Sequence, residues 1–242
     1  MRNKTLWIGA LALLATSAFG AGLQVTPVSL RLVAARNADG LTLSNAGTER
    51  LQAQVRVYQW TQSDGKDQLA PSDGLVISPP MLTIEPGAEQ LVRVIRTGPP
   101  PAGAAEQAYR LAIDELPGET NDKGGLQFVL HYSVPVFLEP KGAPPQAPQL
   151  SWQLLSEGGK AVLQVANAGN LHAQLAQVKY VGPSGNRVVI HDGLLGYVLP
   201  GATMRWPLNQ SPSAFAGSGT FEAMINGEQA TQATSPVVPG AR

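Results

Sequence analysis

Few side chains in this sequence are placed to do chemistry together. The three histidines, His131, His172 and His191, stand in separate contexts with neither an i,i+4 nor an H-x-E spacing, and cysteine is absent. A zinc site therefore has no ligand cluster to draw on. No G-x-S-x-G elbow, phosphate-binding Walker loop or dinucleotide-binding glycine fingerprint occurs. Asp114-Glu115 is an adjacent carboxylate pair in a strand-like run. Neighbours on a strand point to opposite faces, so the two cannot act on one bond. The sequence reads as that of a protein that is not an enzyme and needs no cofactor or metal.

The chemistry that does stand out is that of association. Gly124–Pro140 reads GGLQFVLHYSVPVFLEP, with Leu126, Phe128, Leu130, Tyr132, Val134, Val136 and Leu138 on one alternation and mostly polar or small residues on the other. Period-two patterning over so long a run predicts an extended β-strand, longer than the usual ~5–6 residues. Pro135 has no N–H to give a neighbour, so this part of the strand belongs at a sheet edge. A long apolar edge strand invites pairing with another chain. Val134–Leu138 is the better candidate for the domain's own sheet, and Leu126–Leu130 for projection beyond it. His131 reads as a cross-strand polar neighbour.

The elements that carry this strand are those of an all-β protein. Among 242 residues there are 26 Gly and 20 Pro, punctuating many short apolar segments. Leu23–Leu32 reads as a first strand, followed by a turn at Asn37–Gly40 and a strand over Leu41–Ser44. LQAQVRVYQW, MLTIEPGAEQLVRVIR and YRLAIDEL supply further strands, and Ser63–Asp67 reads as a polar loop. Asn45-Ala46-Gly47 recurs as Asn167-Ala168-Gly169, and Pro86-Gly87-Ala88 as Pro200-Gly201-Ala202. Two short motifs repeated in the same order predict two related β-sandwiches.

Residues 1–21 carry Arg2 and Lys4, the apolar run LWIGALALLA and a small-residue end, the pattern of a cleaved secretory signal peptide too short to span a membrane. No later run is long and apolar enough to do so. The expected division is an N-terminal domain over 22–140, a Pro-rich linker over 141–149 and a C-terminal domain over 150–242, with a loosely ordered tail from Glu228. Basic and acidic residues number 17 each, and loss of Arg2 and Lys4 leaves 15 against 17. That balance argues against nucleic acid as a partner.

LQVTPVSLRL, LTLSNAGTERLQAQVRVYQW, ISPPMLTIEPGAEQLVRVIR, YRLAIDELP and above all LQFVLHYSVPVFLEP together resemble the periplasmic chaperones of the chaperone–usher pathway. YSVPVF and Tyr109-Arg110 look most like the archaic branch, which includes spore-coat-type chaperones. The resemblance implies two immunoglobulin-like sandwiches in a boomerang shape, in the periplasm. It implies fimbrial or pilus subunits and an outer-membrane usher as partners, and donor-strand complementation as the mode of binding. Leu126, Phe128 and Leu130, with Tyr132 as a fourth, would fill a subunit's groove. Burial of four such side chains is worth roughly 6–12 kcal/mol gross. Better-known members anchor the subunit's C-terminal carboxylate with an Arg on the first strand and a Lys on the donor strand. Here Pro135 stands in the place of that Lys, and the first-strand position falls on Ser29 or, with a two-residue shift, on Arg31. Arg110 is the replacement anchor, with Arg31 the second candidate. The competing class is a secreted, non-enzymatic β-sandwich that binds or adheres.

Overall fold

In the computed structural model, residues 22–117, 129–142 and 146–239 are described, with side chains to residue 233. The predicted signal peptide, Leu126 and Phe128 lie outside these residues. The N-terminal strands are β1 (Leu23–Thr26), β2 (Leu30–Leu32), β3 (Ala38–Asn45), β4 (Leu51–Ser63) and β5 (Lys66–Pro71). They continue as β6 (Leu75–Ser78), β7 (Met81–Ile84), β8 (Glu89–Arg96), β9 (Gln107–Leu116) and β10 (His131–Leu138). The C-terminal strands are β11 (Leu150–Glu157), β12 (Lys160–Asn167), β13 (Ala173–Val181), β14 (Arg187–Val198), β15 (Thr203–Pro207), β16 (Thr220–Ile225) and β17 (Glu228–Pro239). No helix among the described residues is long and apolar enough to cross a membrane.

Alternation of apolar and polar residues gives the N-terminal strands one buried face, except β5, which is exposed throughout, and two sheets close over a common core. One sheet runs β1-β3-β8-β6; the other runs β2-β10-β9-β4-β5, with β7 also paired to β4. Leu23, Leu43, Val92 and Leu75 of the first meet Val55, Leu111, Ile113, Val134 and Val136 of the second. The single first strand expected over 23–32 is two strands. The chain leaves one sheet after Thr26 and enters the other at Leu30, with Pro27, which has no N–H for either ladder, in the crossing.

Three other local expectations are corrected. Asn37–Gly40 is not a turn: the chain turns at residues 34–35, and Asp39 and Gly40 pair with Val94 and Arg93. The polar stretch at 63–67 is a hairpin, in which Asp64 (φ 52°) and Gly65 (φ 71°) both adopt left-handed backbone. That matches the twist required between β4 and β5, and Asp-Gly is the dipeptide that supplies it. Nor is the stretch from Glu228 a loose tail. It pairs with β16 through Ala233 and then with β11 from Thr234, so its backbone lies in the middle of the C-terminal ladder. The register shift between Ser235 and Val238 gives Pro236 a place outside regular pairing.

The C-terminal strands form one hydrogen-bonded path, β14-β13-β16-β17-β11-β12-β15. It folds over a second core in which Trp152 of β11 packs on Phe221 of β16, ring centroids 5.0 Å apart.

The repeated tripeptides are the same structural device used twice. Asn45 and Asn167 are each about 2% exposed. Asn45 Nδ2 donates to the carbonyls of Glu49 and Ile84 while its Oδ1 accepts from Gly47 N–H. Asn167 repeats this with Leu171, Val198 and Gly169. The second motif closes on the first in both domains: Asn45 N–H donates to Ala88 O and Gly87 N–H to Asn45 O, as Asn167 N–H does to Ala202 O and Gly201 N–H to Asn167 O. Because a buried carbonyl left without its donor carries a full desolvation penalty, Asn167→Ala is expected to lower stability by about 2 kcal/mol in urea unfolding.

Candidate functional site: an open strand flank and a half-buried cation

The site is built on β10. Its even side chains Val134, Val136 and Leu138 are buried in the N-terminal core. Leu130 and Tyr132 are half-buried against the same core, and the Tyr132 hydroxyl donates to Leu23 O at 2.8 Å. Antiparallel pairing to β9 covers His131–Leu138 and reaches one residue further back, where Glu115 N–H donates to Leu130 O at 2.9 Å.

The other flank of β10 is different. Parallel pairing to β2 covers only Val136–Leu138 and is closed by Glu139 N–H donating to Leu32 O. Backbone groups alternate sides along a strand. Odd-numbered residues therefore aim their N–H and C=O toward this flank and even-numbered ones toward β9. Among the described residues His131 and Ser133 have no strand neighbour on the β2 side. Pro135 sits where the flank opens and its missing N–H costs no ladder bond. The edge position that Pro135 implied is the one observed.

The odd-numbered side chains line the outer face of the sheet, together with alternate residues of β9 and β4. Arg31, Arg56, Arg110 and His131 sit there. Arg56 Nη2 contacts Asp114 Oδ2 at 2.7 Å, and His131 Nδ1 contacts Asp114 Oδ1 at 2.6 Å. His131 is thus the cross-strand polar neighbour that its position implied. Burial opposes ionisation of Asp114, but hydrogen bonds and charge from Arg56 and His131 outweigh it and hold the carboxyl below its ordinary range. Arg31 Nε contacts Glu139 Oε1 at 2.6 Å and is half-exposed, so its charge is already matched.

Arg110 is arranged differently. Its guanidinium carbon lies 3.7 Å from the Trp60 ring centroid and 5.1 Å from that of Tyr197. Its hydrogen bond is a long one, 3.5 Å from Nη1 to Ser133 O. Among the described residues no carboxylate lies within ion-pair distance of it. Burial lowers its pKa, offset only in part by Tyr197 and Asp67; a guanidinium stays protonated even so. The structure thus places Arg31 and Arg110 on one sheet face, the first paired and the second without a counter-ion among the described residues.

Around Arg110 the two sandwiches meet. Phe137, on the outer face of β10, stacks on His172 with centroids 3.5 Å apart and planes at 6°. Glu106, whose side chain is 1% exposed, accepts from His172 N–H and contacts His172 Nδ1 at 2.6 Å. Gln62 Nε2 donates to Tyr197 O, and Leu199 N–H donates to Gln62 Oε1. Trp60, Phe137 and Ala108 are counted in the C-terminal core rather than their own. The sequence reading missed this junction. Its one signal was Phe137, a large aromatic residue on the otherwise polar or small alternation. Among the described residues no group of three or more His, Cys, Asp or Glu could hold a metal ion.

Two β-sandwiches meet at one aromatic junction, and among the described residues one flank of β10 is left open from His131 to Pro135. The family model for pili and flagellar-assembly chaperones, PapD N-terminal domain, matches residues 22–144. The chain belongs to this family. No curated protein matches the sequence. A chain of the CsuC–CsuE chaperone–tip adhesion subunit pre-assembly complex from archaic chaperone-usher Csu pili of Acinetobacter baumannii is similar in structure, with a TM-score of 0.70 and 24% identity over 91% of this chain and all of that one. The CupB2 chaperone of Pseudomonas aeruginosa has a TM-score of 0.59 and 18% identity, over 88% of this chain and all of its own. A chain of the Salmonella enterica SafA pilin–SafB chaperone complex has a TM-score of 0.62 and 18% identity, over 90% and 97%. At such identities the likeness is one of fold.

Two outcomes follow from the geometry. Phe137→Ala removes a buried ring that ties the sandwiches together, and is expected to cost about 3 kcal/mol and to split calorimetric unfolding into two transitions. A depressed carboxylate pKa contributes stability that is present above the unfolded value and lost as pH falls through the folded one. Asp114→Asn is therefore expected to reduce stability at neutral pH and to flatten its fall on acidification, measured by urea midpoints between pH 7 and pH 3.

Proposed function

We propose that this chain is a periplasmic chaperone of the chaperone–usher pathway that holds incomplete fimbrial or pilus subunits by donor-strand complementation. It delivers them to an outer-membrane usher, where another subunit's strand displaces the donated one. The observation that carries this reading is the open flank of β10 from His131 to Pro135, at the end of the apolar alternation that begins at Leu126. Leu126, Phe128 and Leu130 fill the subunit's groove, and Tyr132, hydrogen-bonded to Leu23, sits at the boundary between groove and own core. The division into 22–140, a linker over 141–149 and 150–242 belongs to this reading, as do the signal peptide and the archaic branch.

Arg110 is the anchor for the subunit's terminal carboxylate in preference to Arg31, because Arg31 is already held by Glu139 whereas Arg110 lacks an anionic partner among the described residues. A planar carboxylate can take two parallel N–H bonds from a guanidinium, worth about 1.5–3 kcal/mol.

The test is periplasmic co-expression with the secreted β-subunit encoded beside the gene, followed by purification through a tag on this chain. Changing Leu126, Phe128 and Leu130 to Ser removes roughly 4–9 kcal/mol of gross apolar burial. It is expected to abolish a stoichiometric complex and leave the subunit to degradation. A subunit that is stable alone and does not co-purify with the unaltered chain contradicts the proposal and favours the secreted binding protein.

A further inference from the structure

Arg110 reaches its position from one sandwich, but one of the two rings that hold it comes from the other. Trp60 is on β4, two residues along from Tyr58, the direct cross-strand neighbour of Arg110. Its indole is buried and its Nε1 donates to Asp67 Oδ1 at 2.8 Å. Tyr197 belongs to β14 of the C-terminal sandwich. Its ring meets Trp60 edge-on, at 5.3 Å and 83°. Both of its ends are tied: the carbonyl accepts from Gln62 Nε2 at 2.9 Å and the hydroxyl from Gln174 Nε2 at 2.8 Å. Neither ring is free to turn away from the cation.

A guanidinium stacked on an aromatic face uses its flat surface for that contact and keeps its N–H donors pointing outward in its own plane. Arg110 spends one of those donors on a long bond to Ser133 O. The rest of the fork is left for a planar acceptor. Partial burial also removes competing water, which strengthens a charge-assisted bond to whatever anion enters. Resting on the reading of Arg110 as the carboxylate anchor, we propose that Trp60 and Tyr197 are its positioning residues, forming a clamp shared by the two sandwiches. The chain then presents a preorganised carboxylate site only when its domains are docked. On this account Tyr197 acts through its ring, because its hydroxyl is turned to Gln174 and not to Arg110.

The experiment follows the Arg110 side-chain Nε–Hε resonance by NMR in the full isotopically labelled chain. The probes are N-acetyl-alanyl-alanine with a free carboxylate and the same dipeptide as its C-terminal amide. In the unaltered protein Hε is expected upfield from the Trp60 ring current, with a saturable shift on adding the acid and none with the amide. Tyr197→Phe is expected to bind the acid within twofold of the unaltered chain. Tyr197→Leu and Trp60→Leu are each expected to weaken it at least fivefold while the backbone spectrum of both sandwiches is retained. Leucine variants that bind as tightly as the unaltered chain overturn the clamp alone. Should Tyr197→Leu disrupt the junction, the Hε position in the unaltered protein decides: an Hε without ring-current shift overturns it. An unaltered Arg110 that ignores the acid, or responds equally to the amide, overturns the anchor itself. The Leu126, Phe128 and Leu130 triple variant is expected to keep its carboxylate response, which separates this question from that of strand donation.

Discussion

An unpaired strand flank is a row of N–H and C=O groups that only another strand can satisfy in full, and β10 keeps such a flank open next to a finished core. Three demands meet on these eight residues. Val134, Val136 and Leu138 must close the N-terminal core, Phe137 must reach the opposite way into the junction, and His131 and Ser133 must leave their N–H groups without a strand partner among the described residues. A strand can meet all three because its side chains alternate between faces while its backbone groups alternate between flanks. Pro135 fits at the crossing point of these demands. It contributes nothing to the open flank's hydrogen bonding, and it discourages pairing from extending beyond Val136 on the β2 side.

The junction gives the open strand a rigid base. Phe137 on His172, Glu106 against His172 and Gln62 against the Tyr197–Leu199 backbone tie β10 and its neighbours to the second sandwich. Glu106 is nearly inaccessible to water, and a buried carboxylate is tolerable only with partners of this kind. The same junction holds Arg110 between two rings. An apolar strand supplies affinity without chemical discrimination. On the reading proposed above, a preorganised cation beside it would add a requirement for a planar anion at a fixed distance along the bound chain.

Much of this was legible in the sequence because it is local. Within the alternation from Leu126 to Leu138, His131–Leu138 is the observed strand, buried at Val134–Leu138 and open on one flank at Pro135, while Leu126 and Phe128 lie outside the described residues. The paired Asn-Ala-Gly and Pro-Gly-Ala motifs gave the duplication, and their mutual hydrogen bonds explain why those residues recur. Errors arose where position in the fold outweighs local composition. Leu23–Leu32 reads as one strand although Pro27 marks a crossing between the edges of two sheets, and Glu228–Pro239 is polar enough to read as a tail although its backbone pairs first with β16 and then with β11. Asp64-Gly65 carries the signal of a two-residue hairpin turn inside a stretch whose polarity reads as a loop. The aromatic clamp and the Glu106–His172 contact join residues 50 to 137 positions apart, which no short-range pattern encodes.

Backbone amide hydrogen exchange on the free chain and on its complex with a subunit tests the open flank most directly. The account requires alternation in the free protein: Tyr132 and Val134, bonded to β9, exchange slowly, while His131 and Ser133 exchange fast. In the complex His131 and Ser133 become protected and their even-numbered neighbours change little. Uniform protection along β10 in the free chain, or His131 and Ser133 still unprotected in the complex, would contradict it.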